Sequence, residues 1–281
     1  RMEIIDGASY FPVDEILNYL RLSIAYQMKA HGIKEWDIYA NTADKIYIIS
    51  HRWVSKKASE NSLAAFKLAR DAQADGIEFD VSSTKDGKLV IYHGPKIYPH
   101  TTCKQETREV CQMTREELQK CKLKNGEDIL LLEEFLPQVK NRFSFFFLDF
   151  KTSTNPQCKQ NNQLLLDKAI ALVKKYKMDG NMIFSSYDEK LADVLGKRGD
   201  VSSALDTFSL TALDQLSGSY FSYFMTPAEN FSKKLVENLN HQSAEGVAYV
   251  VNSVEYAKKL KEMGVRFLMT DEVAKLKEGL K

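Results

Sequence analysis

His51 and His93 each follow a short apolar run, YIIS and LVIY, and between them Glu78 and Asp80 stand two residues apart in GIEFDVSS. Side chains alternate along a strand, so Glu78 and Asp80 share one face while Ile77, Phe79 and Val81 share the other. Imidazoles exchange protons near neutral pH. Two carboxylates on one face can hold a hard cation or act as the acid and base of a glycosidase. The plainer reading of the acids alone is a half-exposed strand with a solvated acidic face. The setting weighs against it, because a parallel sheet covered on both sides gives carboxylates no bulk water, and unpaired buried charge is expensive. A bound cation is the simplest remedy.

The elements that would position these groups alternate. Strands are expected near 45–50, 77–81, 143–149, 182–186, 201–205, 221–225, 246–251 and 266–270, with helices over 61–74, 114–121, 131–139, 162–176, 188–195, 231–241 and 253–263. Eight strands with intervening helices predict an α/β fold, a (β/α)8 TIM barrel, over 45–281, in which all strand C-termini open on one face. Only Ser82–Lys88 separates the second strand from Leu89–His93, too little for a helical crossover, and Asp86-Gly87 signals a hairpin that swings His93 back towards Glu78 and Asp80. Before the barrel, 1–44 reads as a helical extension: Ile16, Leu17, Leu20, Ile24 and Met28 recur at helical spacing within Val13–His31, and Gly32 would end that helix.

Composition excludes several functions. The 281 residues carry 44% hydrophobic and 27% charged residues and a formal net charge of +1, which gives no electrostatic footprint for nucleic acid or an anionic membrane. No apolar run approaches a membrane span, so no stable membrane insertion is expected. The chain opens at Arg1 before Met2, as a processed or truncated product would, and shows no signal peptide. Nothing in it reports an oligomeric state. Four cysteines, Cys103, Cys111, Cys121 and Cys158, form no Cys-x-x-Cys metal pattern. Their even number in loops leans towards two disulfides, Cys103–Cys121 first among the pairs to test, and so towards a periplasmic or secreted protein; reduced thiols in a cytoplasmic enzyme are the alternative.

Together these segments resemble the glycerophosphodiester phosphodiesterase family. Its His-Arg-Gly strand end corresponds to His51 and Arg52, its Glu-Asn to Glu60 and Asn61, and its Glu-x-Asp strand to Glu78 and Asp80. Its Lys-Asp-Gly turn matches Lys85–Gly87, and its His-Asp matches His93. Further on, FLDFK is similar to its Glu-x-Lys strand end, with Asp149 for the glutamate, AYVVN to Trp-Thr-Val-Asn, and FLMTD to its closing Thr-Asp. The ordered set covers roughly Lys45 to Leu276. The resemblance implies a divalent cation, Mg²⁺ or Ca²⁺, on Glu78, Asp80 and Asp149, an acid and base pair in His51 and His93, and phosphate contacts from Arg52 and Lys151. It makes Glu60 a candidate for the site rim, with a helix-start residue as the alternative. The implied substrate is a small-molecule or lysolipid phosphodiester, hydrolysed to sn-glycerol 3-phosphate and an alcohol.

Three positions depart from the family pattern. Trp53 replaces a glycine beside the phosphate contact, where its ring would stack on a group such as choline or simply pack. Gly94 replaces the aspartate after the second histidine, which looks like the phospholipase D toxins that act on lysophospholipids or sphingomyelin; those toxins lack the ENSLAAF-type helix present here. Asp149 is one methylene shorter than the glutamate it replaces. A glycosidase gives no reason for two histidines, an arginine and a lysine at one mouth. A catalytically impaired barrel used for binding is the remaining alternative. His31, His100 and His241 are read as structural.

Overall fold

The computed structural model describes residues 3–5, 8–10, 45–53, 58–98, 100–158, 161–209 and 220–281. The helix expected over Val13–His31 lies outside the described residues. Ahead of it, β1 (Glu3–Ile5) and β2 (Ala8–Tyr10) pair antiparallel, Ile4 opposite Ser9, in a stretch whose sequence pointed only to helix.

From Tyr47 onward the expected barrel is present. Its wall is formed by β3 (Tyr47–Ser50), β4 (Gly76–Ser83), β6 (Phe145–Phe150), β7 (Met182–Ser185), β8 (Ser202–Asp206), β9 (Tyr223–Pro227), β10 (Glu245–Tyr249) and β11 (Phe267–Thr270), all parallel. Closure comes from β11 against β3, Phe267 opposite Tyr47, and β3 against β4, Ile49 opposite Gly76. The remaining strand, β5 (Leu89–Ile91), stays outside the wall and pairs antiparallel with the last residues of β4, Val81 opposite Ile91. The Asp86-Gly87 hairpin is therefore real, with Gly87 at φ +69°, a conformation that glycine adopts without steric cost.

The helices are α1 (Leu63–Asp71), α2 (Arg115–Leu118), α3 (Leu132–Val139), α4 (Asn162–Lys175), α5 (Glu189–Gly196), α6 (Lys233–His241), α7 (Val254–Glu262) and α8 (Val273–Gly279). Capping fixes their starts: Ser62, Asn161, Asp188, Ser232 and Ser253 each accept a backbone N–H of the first turn, satisfying donors the helix itself leaves open. The expected stretch 114–121 shortens to the single turn of α2. The closing helix α8 has no counterpart in the sequence reading; it buries Val273 and Leu276, and Lys277 Nζ reaches Asp75 Oδ2 at 2.7 Å.

Strand parity divides the core in two. Ile77, Phe79, Val81, Phe146, Leu148, Phe150 and Phe184 point outward, where they pack with side chains of α1, α3 and α4. Tyr47, Ile49, Phe145, Phe147, Tyr223, Met225, Val247, Phe267 and Met269 point inward. Phe267 is the hub of the inner set, with ring centroids 4.8 Å from Tyr47, 5.1 Å from Phe145 and 5.4 Å from Tyr223. These rings make an aromatic floor across the barrel.

Disulfides join Cys103 to Cys121 and Cys111 to Cys158. The first is the pair expected from the sequence, and together they tie the long excursion between β5 and β6 to itself and to the segment after β6.

Truncating the hub ring should open a cavity that rigid strands cannot refill. We expect Phe267→Ala to destabilise the protein by about 3–5 kcal/mol in urea unfolding, whereas exposed Phe208→Ala should stay within about 0.5 kcal/mol. Equal effects would contradict the floor.

Candidate active site

The same parity that builds the floor carries polar residues upward to the C-terminal mouth. On β4 the inward positions end in Glu78 and Asp80, and on β6 Phe145 and Phe147 lead to Asp149, which lies in register with Asp80. Ile49 leads to His51, Ala204 to Asp206, Val247 to Tyr249, and Met269 to Asp271. An aromatic cup thus ends in a ring of acids, histidine and tyrosine.

Glu78, Asp80 and Asp149 are 4%, 0% and 3% exposed, and one oxygen of each lies within 4.8 Å of the others. Three like charges removed from water demand compensation. Lys151 Nζ contacts Asp149 Oδ2 and lies 3.1 Å from Asp80 Oδ1. Arg52 Nε lies 3.6 Å from Asp80 Oδ2, while the Arg52 backbone N–H donates to Glu78 Oε2 at 2.8 Å. Arg52 has φ +50°, a left-handed bend immediately after β3 that brings this N–H onto the acid. Asn61 donates from Nδ2 to Asp80 Oδ2 at 2.9 Å and accepts the Asp80 N–H at 3.2 Å.

Burial, with Asp80 alongside, pushes the Glu78 carboxyl well above the usual carboxylate range. Burial acts on Asp80 in the same sense but is outweighed by Lys151, His93, Arg52 and the Asn61 hydrogen bond, which hold it well below that range. The carboxylates outnumber the permanent cations, and Asp149 Oδ1 is buried without a hydrogen-bond partner. Three converging oxygens with no sulfur or imidazole among them suit Mg²⁺ or Ca²⁺.

Each histidine meets a carboxylate. His51 Nδ1 lies 2.9 Å from Asp271 Oδ1, and Asn252 Nδ2 donates to Asp271 Oδ2 at 3.0 Å. His93 Nδ1 lies 3.8 Å from Glu60 Oε1, and the other oxygen of Glu60 is 3.7 Å from Arg52 Nη1. Burial lowers the affinity of His93 for a proton, with Asp80 pulling the other way. His100, read from the sequence as structural, belongs to this cluster: its Nδ1 is 2.9 Å from the same Glu60 oxygen. The residue that the sequence offered as rim or helix start is thus a junction between two imidazoles and a guanidinium.

Of the sequence-predicted residues, the structure gathers His51, Arg52, Glu60, Glu78, Asp80, His93, Asp149 and Lys151 at one mouth. Lys151, expected at a phosphate, lies against Asp149 and Asp80. The Trp53 side chain lies outside the described residues. Reading by residue type missed Asn252 and Asp271, which lie in the quoted AYVVN and FLMTD segments, and Asp206 with Tyr249. The Tyr249 hydroxyl donates to Asp206 Oδ1 at 2.8 Å and lies 2.5 Å from the Tyr187 hydroxyl. Inward parity at a strand end was the available signal for Asp206 and Asp271; His100 had none.

Burial and the nearby Asp149 push the Asp206 carboxyl from 3.8 up to about 7. An acid that holds its proton more tightly when folded contributes stability below its unfolded pKa and loses it as pH rises through its folded one. Thermal melts of the wild type should therefore fall from pH 4 towards pH 7 relative to Asp206→Asn. Parallel pH profiles for the two proteins would contradict this environment.

Residues 51–275 match the Glycerophosphoryl diester phosphodiesterase family. The glycerophosphodiester phosphodiesterase of Caldanaerobacter subterraneus is 33% identical over 156 residues, covering 53% of this chain and 62% of its own. The lysophospholipase D GDPD1 of Rattus norvegicus is 24% identical over 278 residues, covering 83% and 85%. Among solved structures, an Oleispira antarctica phosphodiesterase in complex with the product sn-glycerol-3-phosphate superposes with a TM-score of 0.71 at 18% identity, covering 83% of this chain and 96% of that one.

Proposed function

The chain belongs to the glycerophosphoryl diester phosphodiesterase family, and from that premise we propose that it hydrolyses glycerophosphodiesters to sn-glycerol 3-phosphate and an alcohol, using a divalent cation and the pair His51 and His93. The observation that carries the reading is the buried trio Glu78, Asp80 and Asp149 at a mouth that also holds two imidazoles, His51 2.9 Å from an oxygen of Asp271 and His93 3.8 Å from an oxygen of Glu60. The trio would hold Mg²⁺ or Ca²⁺; the unpartnered Asp149 Oδ1 and the excess of carboxylates fit such an ion. When bound, it supplies a Lewis acid for a non-bridging phosphate oxygen.

The protein's own groups do the rest. Arg52 presents a guanidinium to the anionic phosphodiester, able to take two oxygens at once. The ammonium of Lys151, beside Asp149 and Asp80, would add a second positive charge where charge develops in the transition state. His51 receives or delivers a proton through Nε2 while Asp271, held by Asn252, fixes its Nδ1 and ring orientation. The same division applies to His93 and Glu60. One imidazole removes the proton from the attacking hydroxyl or water, and the other protonates the departing alkoxide. Burial favours neutral His93, which suits it to the base role.

The lysophospholipase D reading stays as a second one because of a surface feature. Tyr187 and Phe208, 40% and 68% exposed, stack at 5.3 Å beside the mouth, and Lys151 Nζ lies 5.4 Å from the Tyr187 ring centroid. That is apolar surface next to the charged cup, suited to a lipid tail. The two disulfides support placing the enzyme in an oxidising compartment, with 45–281 as its catalytic domain.

Incubation with glycerophosphocholine, lysophosphatidylcholine and sphingomyelin, with and without EDTA, tests the proposal. We expect release of glycerol 3-phosphate that EDTA abolishes and Mg²⁺ or Ca²⁺ restores. Cleavage of the lipids alone would transfer the assignment to the second reading. His51→Ala and His93→Ala should each lower kcat by about 10²–10⁴-fold with unchanged thermal melts; losses below about tenfold would mean that other groups move the protons.

A further inference from the structure

The Glu60, His93 and His100 cluster has a donor set of a different kind from the oxygen trio. Two imidazole nitrogens approach one carboxylate oxygen: His100 Nδ1 at 2.9 Å and His93 Nδ1 at 3.8 Å from Glu60 Oε1, and the three donor atoms lie within 4.8 Å of one another. Glu60 Oε1 is buried yet has no aligned hydrogen bond despite this crowding. Two nitrogens and one oxygen converging match the His₂Glu donor set that a water completes in a tetrahedral zinc centre. We propose that Glu60, His93 and His100 form a second metal site, selective for a borderline ion such as Zn²⁺, whose occupation inhibits the enzyme.

The cluster is held in place before any ion arrives. The Tyr92 hydroxyl donates to Ile97 O at 2.6 Å and contacts Lys96 O at 3.1 Å, pinning the start of the loop that carries His100. Thr101 Oγ1 donates to the same Ile97 carbonyl, and the Cys103–Cys121 disulfide fixes the loop's far end. A Cβ at Gly94 would lie 3.0 Å from both Tyr92 Cδ1 and Val110 Cγ2, tighter than ordinary packing, so the missing side chain eases the close passage of the chain over Tyr92. The Glu60, His93 and His100 side chains are 19%, 30% and 33% exposed, so the cluster borders solvent although Glu60 Oε1 itself is buried.

Selectivity follows from softness. Imidazole pairs suit Zn²⁺ and Co²⁺, whereas Mg²⁺ and Ca²⁺ take all-oxygen shells. The Arg52 guanidinium, 3.7 Å from Glu60 Oε2, opposes a cation and moderates its affinity. Binding places the Nδ1 lone pair of His93 on the metal; any proton there goes to solvent, and the remaining hydrogen sits on Nε2. A histidine in that state has no lone pair with which to accept a proton. Inhibition therefore rests on His93 being one of the two proton carriers, while metal binding does not.

The test uses wild type and His100→Gln, which keeps a donor towards Glu60 but removes the ring nitrogen. Both are dialysed against Zn²⁺, or titrated with Co²⁺, in excess Mg²⁺; bound metal, visible cobalt absorption and turnover relative to each protein's own zinc-free rate are measured. We expect the wild type to retain one equivalent of zinc, to give an intense tetrahedral-type cobalt band and to lose turnover as zinc binds. His100→Gln should need at least about tenfold more metal for each effect, since removing even a group that only supports a ligand costs about 10–100-fold in affinity. Zinc that excess Mg²⁺ displaces, or that binds and inhibits both proteins equally, would overturn the site. Zinc retained at undiminished turnover would overturn the inhibition and the role of His93 with it. The cobalt band appearing in a protein that cleaves no phosphodiester would support the site while sinking the functional reading on which inhibition rests.

Discussion

Three carboxylates buried within a few ångströms of one another are the costliest arrangement in this protein, and much of the mouth follows from keeping them there. Each would be expelled or neutralised in isolation. Lys151 lies against two of them, Arg52 approaches from the next strand, and Asn61 uses both ends of its amide on Asp80. Parallel pairing makes this arrangement possible, since neighbouring strands in register set Asp80 beside Asp149. Burial, with Asp80 alongside, leaves the Glu78 carboxyl well above the usual carboxylate range, the sign that compensation is incomplete.

The two histidines repeat one device in different materials. Asp271 anchors His51 and is itself anchored by Asn252, all three from the closing strands of the barrel. Glu60 stands at the other rim, shared among His93, His100 and Arg52. The first dyad is built on rigid wall. The second depends on an excursion of the chain that disulfides and the Tyr92 hydroxyl hold together.

The barrel was legible because its strands are short apolar runs separated by capped helices, and the acids on β4 declared their face through strict alternation. Strand spans read from the sequence agree with the structure to within two or three residues at most ends, since the outward set of Ile77, Phe79 and Val81 and the inward acids leave one register available. The hairpin was legible from the short link Ser82–Lys88 and the Asp86-Gly87 pair within it. The helix α8 went unread although its Val273 and Leu276 face the core, because a stretch of seven residues shows too few turns for periodicity. His100 was unreadable for a different reason: its place depends on a loop whose path is set by Gly94, Tyr92 and a disulfide, none of which appears as a pattern around residue 100. Contacts made by regular elements can be deduced from spacing, whereas contacts made by irregular chain depend on the whole fold.

The floor of stacked rings has one more consequence. With Phe267, Tyr47, Phe145 and Tyr223 all buried across the barrel axis, the cup is blind, and whatever enters between the strand ends departs by the same opening. Reactant and both products must then share a single doorway, so the order in which the fragments leave is governed by how firmly each is gripped at the rim, and a phosphomonoester with its extra charge is the slower guest.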